Sequence, residues 1–285
     1  MNKRVLGSKS AVVIMWIVFV LFAIYAVTLI FPFVWMLMNS FKDNQDFFSN
    51  IWGIPLNFTF ANYVKVFSYK YKGYNLFGMF GISILITLLA TLLNTFLSTC
   101  AAYVVAKYKF FGRKILYSLA LLTMILPSVG TLPAQYKLME SLHLNNSIIG
   151  ILVLYSGCFG FTFFIMHGYF TTLSWTYAEA AFVDGASDFQ VFWHVMLPLS
   201  KSIIIPMAVV YSIGVWNDYL TPSIYLKNIP TLSVGIRNLT QQMQSTGAYT
   251  EMFSAMIVTI LPILIVFIFF QKTIMNNMTM GGIKG

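Results

Sequence analysis

Apolar residues run along this chain in long blocks, each closed by a charge or two. No Lys, Arg, Asp or Glu occurs between Lys9 and Lys42, and the block at 76–106 ends at Lys107. A helix crosses the hydrocarbon core of a bilayer with about 20 mostly apolar residues. Six stretches reach that length: residues 11–38, 76–106, 115–136, 148–169, 203–226 and 252–270, the fifth interrupted by Asp218. Hydrocarbon offers no partner to backbone N–H and C=O groups, so such stretches fold as helices. The pattern predicts an all-α integral membrane protein with six transmembrane helices within residues 11–272, preceded by a short segment at 1–10 and followed by a tail at 273–285.

The polar stretches between blocks are unequal. Residues 39–75 carry aromatics and prolines and are expected to fold against the outer mouth, while 227–250 are rich in Gln, Ser and Thr. Residues 170–202 far exceed the roughly 2–8 residues of a bare helix–helix connector. Local chemistry there predicts two short helices meeting at a bend. The first runs from Trp175 to Val183, with Ser174 or Thr176 as N-cap and capping-box spacing from Thr176 to Glu179. Gly185 supplies the bend, since it takes positive φ without steric cost. Ser187 and Gln190 form a second capping box, opening a helix that ends before Leu197-Pro198. Phe182, Phe189, Trp193 and Met196 recur at helical spacing, an apolar stripe to be buried on the membrane surface, the spans or a partner.

Composition narrows the class. Hydrophobic residues are 59% of 285 and charged ones 9%, with a mean hydropathy of +0.79, against about 25% charged in soluble domains. The net charge of +9 reflects basic residues flanking spans rather than nucleic-acid binding. The short stretch 107–114 holds Lys107, Lys109, Arg113 and Lys114 and no acid, which marks it as cytoplasmic and places both termini on that side. The apolar block after Ser10 is too long for a signal-peptide core and reads as a retained span. Cys100 and Cys158 lie inside apolar runs and make no disulfide framework. No G-x-x-x-x-G-K-[ST] phosphate loop occurs, so ATP hydrolysis belongs elsewhere. His143, His167 and His194 lack metal-ligand spacing, and no nucleophile–base pair can be assembled. The chain reads as non-catalytic, with no metal site.

Glu179-Ala180-Ala181, three residues, Gly185, nine residues, Val195, one residue and Leu197-Pro198 is similar to the EAA motif of ABC importer permeases. Val195 stands where Ile is commoner, and Ser174-Trp175-Thr176 replaces an upstream proline and acidic residues. The resemblance implies a type I importer fold in the bacterial plasma membrane, with a cytoplasmic coupling helix between spans four and five. It implies ATPase docking through Glu179, Ala180, Ala181, Phe182, Asp184, Gly185, Leu197 and Pro198, Glu179 pairing with a basic residue of the ATPase. The bland reading of the same residues makes Glu179 a capping partner of Thr176 and Gly185 a loop glycine.

Across nearly the whole chain the resemblance points to the carbohydrate-uptake branch, to its maltose-type (MalG-like) second permease. Phe31-Pro-Phe-Val-Trp-Met-Leu-Met-Asn-Ser-Phe-Lys42, Trp216-Asn-Asp-Tyr-Leu-Thr-Pro222 and the tail Met278-Thr-Met-Gly-Gly-Ile-Lys-Gly285 carry it. Implied partners are a homologous permease, two ATPase subunits holding ATP and Mg, an external solute-binding protein, a sugar and the lipid bilayer. This chain itself would bind no cofactor. Asn94, Tyr211, Asn217 and Asp218 are candidate pathway residues, since carboxylates in spans face protein or water; Asp218 can equally snorkel to the outer interface. Trp216 and Tyr219 fit an interfacial aromatic belt better. Pro127, Pro133, Pro206 and Pro262 interrupt spans as bends or tolerated kinks. The rivals are an importer permease for another solute, an ion-driven transporter and a membrane scaffold.

Overall fold

The computed structural model describes residues 9–125 and 128–278. Its helices are α1 (Lys9–Ser40), α2 (Asn44–Ser49), α3 (Ala61–Ser68), α4 (Leu76–Lys107), α5 (Arg113–Ile125), α6 (Ser128–Ser141), α7 (Ile148–Tyr155), α8 (Phe161–Thr172), α9 (Thr176–Val183) and α10 (Asp188–Val191). A π turn (Phe192–Met196) leads into α11 (Leu197–Leu199), α12 (Lys201–Asn217), α13 (Leu220–Tyr225), α14 (Leu232–Thr246) and α15 (Tyr249–Met278). The two-residue strands β1 (Lys70–Tyr71) and β2 (Tyr74–Asn75) pair antiparallel just before α4.

Among the described residues three helical stretches are long and apolar enough to cross a membrane: Ala11–Ser40, Leu76–Lys107 and Tyr249–Lys272. Two bent pairs bring the number to five if each counts as one span: Arg113–Ile125 with Gly130–Ser141, and Asp188–Leu199 with Lys201–Asn217. The fourth expected span, 148–169, is split into α7 and α8 at residues 156–160. The split has a local cause, for Gly160 sits at φ 151°, ψ −161°, a region essentially closed to residues with a Cβ. The fifth expected span stops at Asn217, with Asp218 as its C-cap. Pro133, Pro206 and Pro262 lie inside helices that continue through them, and Pro127 lies outside the described residues.

Two compact units divide the chain. One holds residues up to Tyr69 with Leu239–Val258. Its core is aromatic: Trp35 meets Phe253 edge-on at 5.2 Å, and Phe47 meets the same ring at 5.5 Å. Ser254 Oγ donates to Ser40 O at 3.0 Å, and Lys65 pairs with Glu251.

The other unit holds Lys70–Asn238 and the residues from Thr259 on. Here α4 is the central post, with α7, α8 and α12 around it. Its buried positions include Ala90, Thr91, Asn94, Thr95, Ser98, Thr99 and Ala102, a stripe of small side chains that lets neighbouring backbones approach closely. The expected polar connector at 227–250 contains a 15-residue helix, α14. Its buried Leu232, Ile236, Leu239 and Met243 recur at helical spacing, a signal that the Gln, Ser and Thr content obscured.

Candidate coupling surface and translocation cavity

Residues 170–202 form the bent pair of short helices that the sequence predicts, with two corrections. Trp175 is the N-cap of α9 and makes no side-chain cap. The Thr176–Glu179 capping box is not formed. Ser174 Oγ instead accepts the Thr176 N–H at 3.3 Å and donates to Thr176 Oγ1 at 3.0 Å, a hydroxyl turn that engages Thr176 locally. Glu179 is therefore left exposed, in no salt bridge among the described residues.

At the bend, Gly185 takes φ 83°. Its N–H donates to Phe182 O, and the Ala186 N–H to Ala181 O, both at 3.0 Å. These are the two bonds of a Schellman motif, whose left-handed residue is usually glycine. The second capping box forms as expected, Ser187 and Gln190 satisfying each other's backbone.

The second correction concerns the helix end. The helical run does not stop before Leu197-Pro198 but passes through it to Leu199. Pro198 has no N–H, and its ring crowds the carbonyl four residues back. The π turn relieves this by widening the helix there: the Leu197 N–H reaches Phe192 O, five residues back. The chain then turns by 74° into α12.

The expected stripe is only partly buried. Ala178, Val191, Phe192 and Met196 pack with Ala102 and Tyr103 of α4 and Phe163, Met166 and Phe170 of α8. Phe182 is half-buried, while Phe189 and Trp193 are 69% and 42% exposed. Those two rings stack on each other, and Trp193 stands edge-on to Phe96. The buried face is thus set by Val191, Phe192 and Met196. The opposite surface presents Tyr177, Glu179, Ala180, Val183 and Asp184, with Ala181 and Leu197 half-buried and Pro198 exposed.

Two residues to which the sequence reading gave no part in this segment fasten it. Lys107 Nζ donates to Leu173 O and lies 5.9 Å from the centre of the Trp175 ring. Tyr108 OH donates to Asp188 Oδ1 at 2.7 Å, and its ring stands edge-on to Trp175. Burial, then the bonds to Tyr103 and Asp188, push the Tyr108 hydroxyl well above its ordinary pKa, so it remains a donor. Lys107 opens a basic stretch where topology alone accounted for its charge, and no pattern in the sequence singled out Tyr108.

Deeper in the same unit, a cavity of about 460 Å³ opens between α4, the α7–α8 break and α12. Asn94, Tyr211 and Asp218 line it together, with Ser98, Tyr155 and Phe161 among their neighbours. The break is wired to the flanking helices through the carbonyls it frees. Asn94 Nδ2 donates to Gly157 O at 2.7 Å, Ser98 Oγ to Cys158 O at 2.9 Å and Tyr211 OH to Tyr155 O at 2.5 Å. Irregular backbone at membrane depth is tolerated where protein satisfies it in this way. Asp218 accepts from Tyr155 OH at 2.9 Å and from the Thr221 N–H at 3.0 Å. Asn94 Oδ1 is buried with no hydrogen-bond partner among the described residues.

Asn217 does not join this group; it is exposed and donates to Ile213 O. Trp216 is 9% exposed and meets Phe80 edge-on at 5.5 Å, so it is packed inside the unit rather than standing in an aromatic belt. Tyr219 is exposed, with the Arg237 guanidinium 3.9 Å over its ring. Tyr155 was missed by sequence reasoning, although the glycines at 157 and 160 inside an apolar run signalled the break that presents it.

Residues 95–279, which span the coupling segment and much of the cavity wall, match the family described as binding-protein-dependent transport system inner membrane component. The chain belongs to that family. This permease is 30% identical to the arabinooligosaccharides transport system permease protein AraQ of Bacillus subtilis, the match covering 93% of this chain and 94% of AraQ. It is 27% identical to the diacetylchitobiose uptake system permease protein NgcG of Streptomyces coelicolor, over 98% and 89% of the two chains. The galactooligosaccharides permease GanQ of Bacillus subtilis is 30% identical over 94% of each. A crystal structure of a bacterial ABC transporter involved in import of the acidic polysaccharide alginate has the same fold, with TM-score 0.77 and 23% identity over 93% of this permease and 98% of that chain. Membership in this family removes the ion-driven transporter and the scaffold as readings.

Proposed function

We propose that this permease is the maltose-type second permease subunit of an ATP-driven importer for a sugar or oligosaccharide. It would form the pathway with a homologous permease, receive solute from an external binding protein and take its energy from two ATPase subunits holding ATP and Mg. In this reading six spans cross the bacterial plasma membrane with both termini cytoplasmic. The split pair α7–α8 would be the fourth, and α12 with α13 the fifth. The loop carrying Glu179 and Gly185 would lie on the cytoplasmic side as the coupling helix, and Asn94, Tyr211 and Asp218 would line the route.

One observation carries the coupling role. The bent pair presents an exposed Glu179, in no salt bridge among the described residues, on a surface whose opposite face is buried against α4 and α8. A push on that surface therefore reaches the helices that wall the cavity. The two conformations must differ in ATP affinity for such coupling to exist, typically by about 1–3 kcal/mol. The sugar reading is supported by the named solutes of AraQ, NgcG and GanQ and by a cavity that mixes hydrogen-bonding groups with aromatic faces.

The test is to purify the chain after expression with its neighbouring genes and measure ATPase activity with and without binding protein loaded with candidate sugars. Stimulation by one loaded binding protein supports both coupling and solute. A stable complex indifferent to every sugar would reject the sugar, and absence of any co-purifying ATPase would reject the assembly.

A further inference from the structure

Residues 47–64 carry no charge between Asp46 and Lys65, although they form a loop with short helices at its two ends rather than a span. Most of their apolar side chains point away from the protein: Trp52, Ile54 and Leu56 are 71%, 79% and 74% exposed, and Phe58 and Phe60 exceed 60%. A soluble loop of this kind would show its backbone to water. Here the backbone is met from within.

Lys42, fully buried, donates through Nζ to Asn50 O, and Trp35 Nε1 donates to Ile51 O at 3.1 Å. Asn50 bridges the tip, accepting the Gly53 N–H at 2.9 Å and donating to Ile54 O at 3.1 Å. Asp46 Oδ2 accepts the Leu56 N–H, and the Thr59 N–H donates to Phe41 O. Asn62 Nδ2 donates to both Ser40 O and Lys42 O. The charged and amide groups of the segment are thus turned inward onto backbone, and hydrocarbon is turned outward. Burial depresses the Lys42 ammonium pKa, opposed by the Asp46 carboxylate.

The loop also doubles back along α1. Trp52 stacks on Phe31 at 6.3 Å and lies 5.6 Å from Trp35. Phe31 is nine residues before the end of α1 at Ser40, about 13 Å down the helix axis at 1.5 Å per residue. Residues 12–34 of α1 are exposed throughout, and the most apolar 18-residue window of the span Ala11–Ser40 has a mean hydropathy of 2.8. The span's 30 residues measure about 45 Å, longer than a hydrocarbon core of about 30 Å. A side chain level with Phe31 therefore reaches the zone between headgroups and acyl chains, where Trp is favoured.

We infer that residues 50–60 are a membrane-interface anchor, seated in the outer leaflet beside the first span with Trp52, Ile54 and Leu56 among headgroups and upper acyl chains. Its occupant is lipid, because the exposed surface is uncharged and apolar and is continuous, through Trp52 on Phe31, with the exposed apolar face of the span. The inference rests on α1 crossing the bilayer and is independent of the transported solute.

The assembled transporter, reconstituted in phosphatidylcholine–phosphatidylglycerol vesicles, supplies the test. Ile54→Cys and Leu56→Cys, each nitroxide-labelled in a background lacking Cys100 and Cys158, are compared with a label at Gln242. The expected result is spin relaxation by oxygen exceeding that by a water-soluble nickel chelate at 54 and 56, with the reverse at 242. In unlabelled protein, lipids brominated high on the acyl chain should quench more fluorescence in the parent than in Trp52→Phe. Chelate dominance at 54 and 56 would overturn the anchor in favour of a water-exposed loop. Exclusion of both relaxants would overturn it in favour of a protein partner.

Discussion

Glu179 and Gly185 act at the residue scale in different ways. Glu179 has no ion-pair partner to lose among the described residues, so Glu179→Ala should insert and fold as the parent does. Uptake in proteoliposomes and solute-stimulated ATPase should both fall by roughly tenfold or more, the scale of a typical coupling energy. Normal uptake would remove its coupling role. Gly185→Val places a branched side chain at φ 83° and should cost about 1–2 kcal/mol of local strain, read as a lowered melting temperature together with lost uptake. Gly185→Asn should be milder in both, since Asn visits the left-handed region. The motif spacing that singled out these two residues was legible in the chain. That Glu179 is unpaired was not: its capping-box spacing with Thr176 fits a different local bond equally well, and only the position of Ser174 decides between them.

The elements that matter are those that bend. Gly160→Ala should disturb the α7–α8 break, because the added Cβ enters a backbone region costing about 1–3 kcal/mol; a thermal shift in detergent reads it. Asp218→Ala removes the acceptor of Tyr155 OH and of the Thr221 N–H and should destabilise by about 1–3 kcal/mol. Asp218→Asn keeps one acceptor oxygen, so it should be stable while raising the KM for solute if the carboxylate contacts it. Tyr108→Phe keeps the ring against Trp175 but drops the bond to Asp188. Transport per ATP hydrolysed should fall with little change in expression; an unchanged ratio would show that Tyr108 does not position the coupling segment. Glycine placement announced the bend at 185, whereas the break at 156–160 fell inside a stretch read as one continuous span. The π turn at Phe192–Met196 was not legible, because Pro198 indicates trouble with a helix but not whether the chain stops or widens.

For the whole molecule, burial is divided unevenly: α1 offers its apolar length outward, while α4 is enclosed by α7, α8 and α12. The importer reading therefore requires that α1 meet lipid or other subunits, consistent with a permease that works only in an assembly. Composition and block length by themselves determined that the chain is helical and membrane-embedded, since unbroken apolar blocks of about 20 residues in a chain with 9% charge satisfy their backbone in hydrocarbon as helices. Motif spacing determined the family and marked where energy would enter. Tertiary structure alone decided which polar side chains converge: it joined Asn94, Tyr211 and Asp218 around the freed carbonyls at 155–158, and it left Asn217 outside, one residue from Asp218. The reason is geometric. Helical periodicity reports which face a residue occupies, but where a helix breaks, the facing of each side chain is set by the neighbours that satisfy the broken ladder, and those neighbours are distant in sequence.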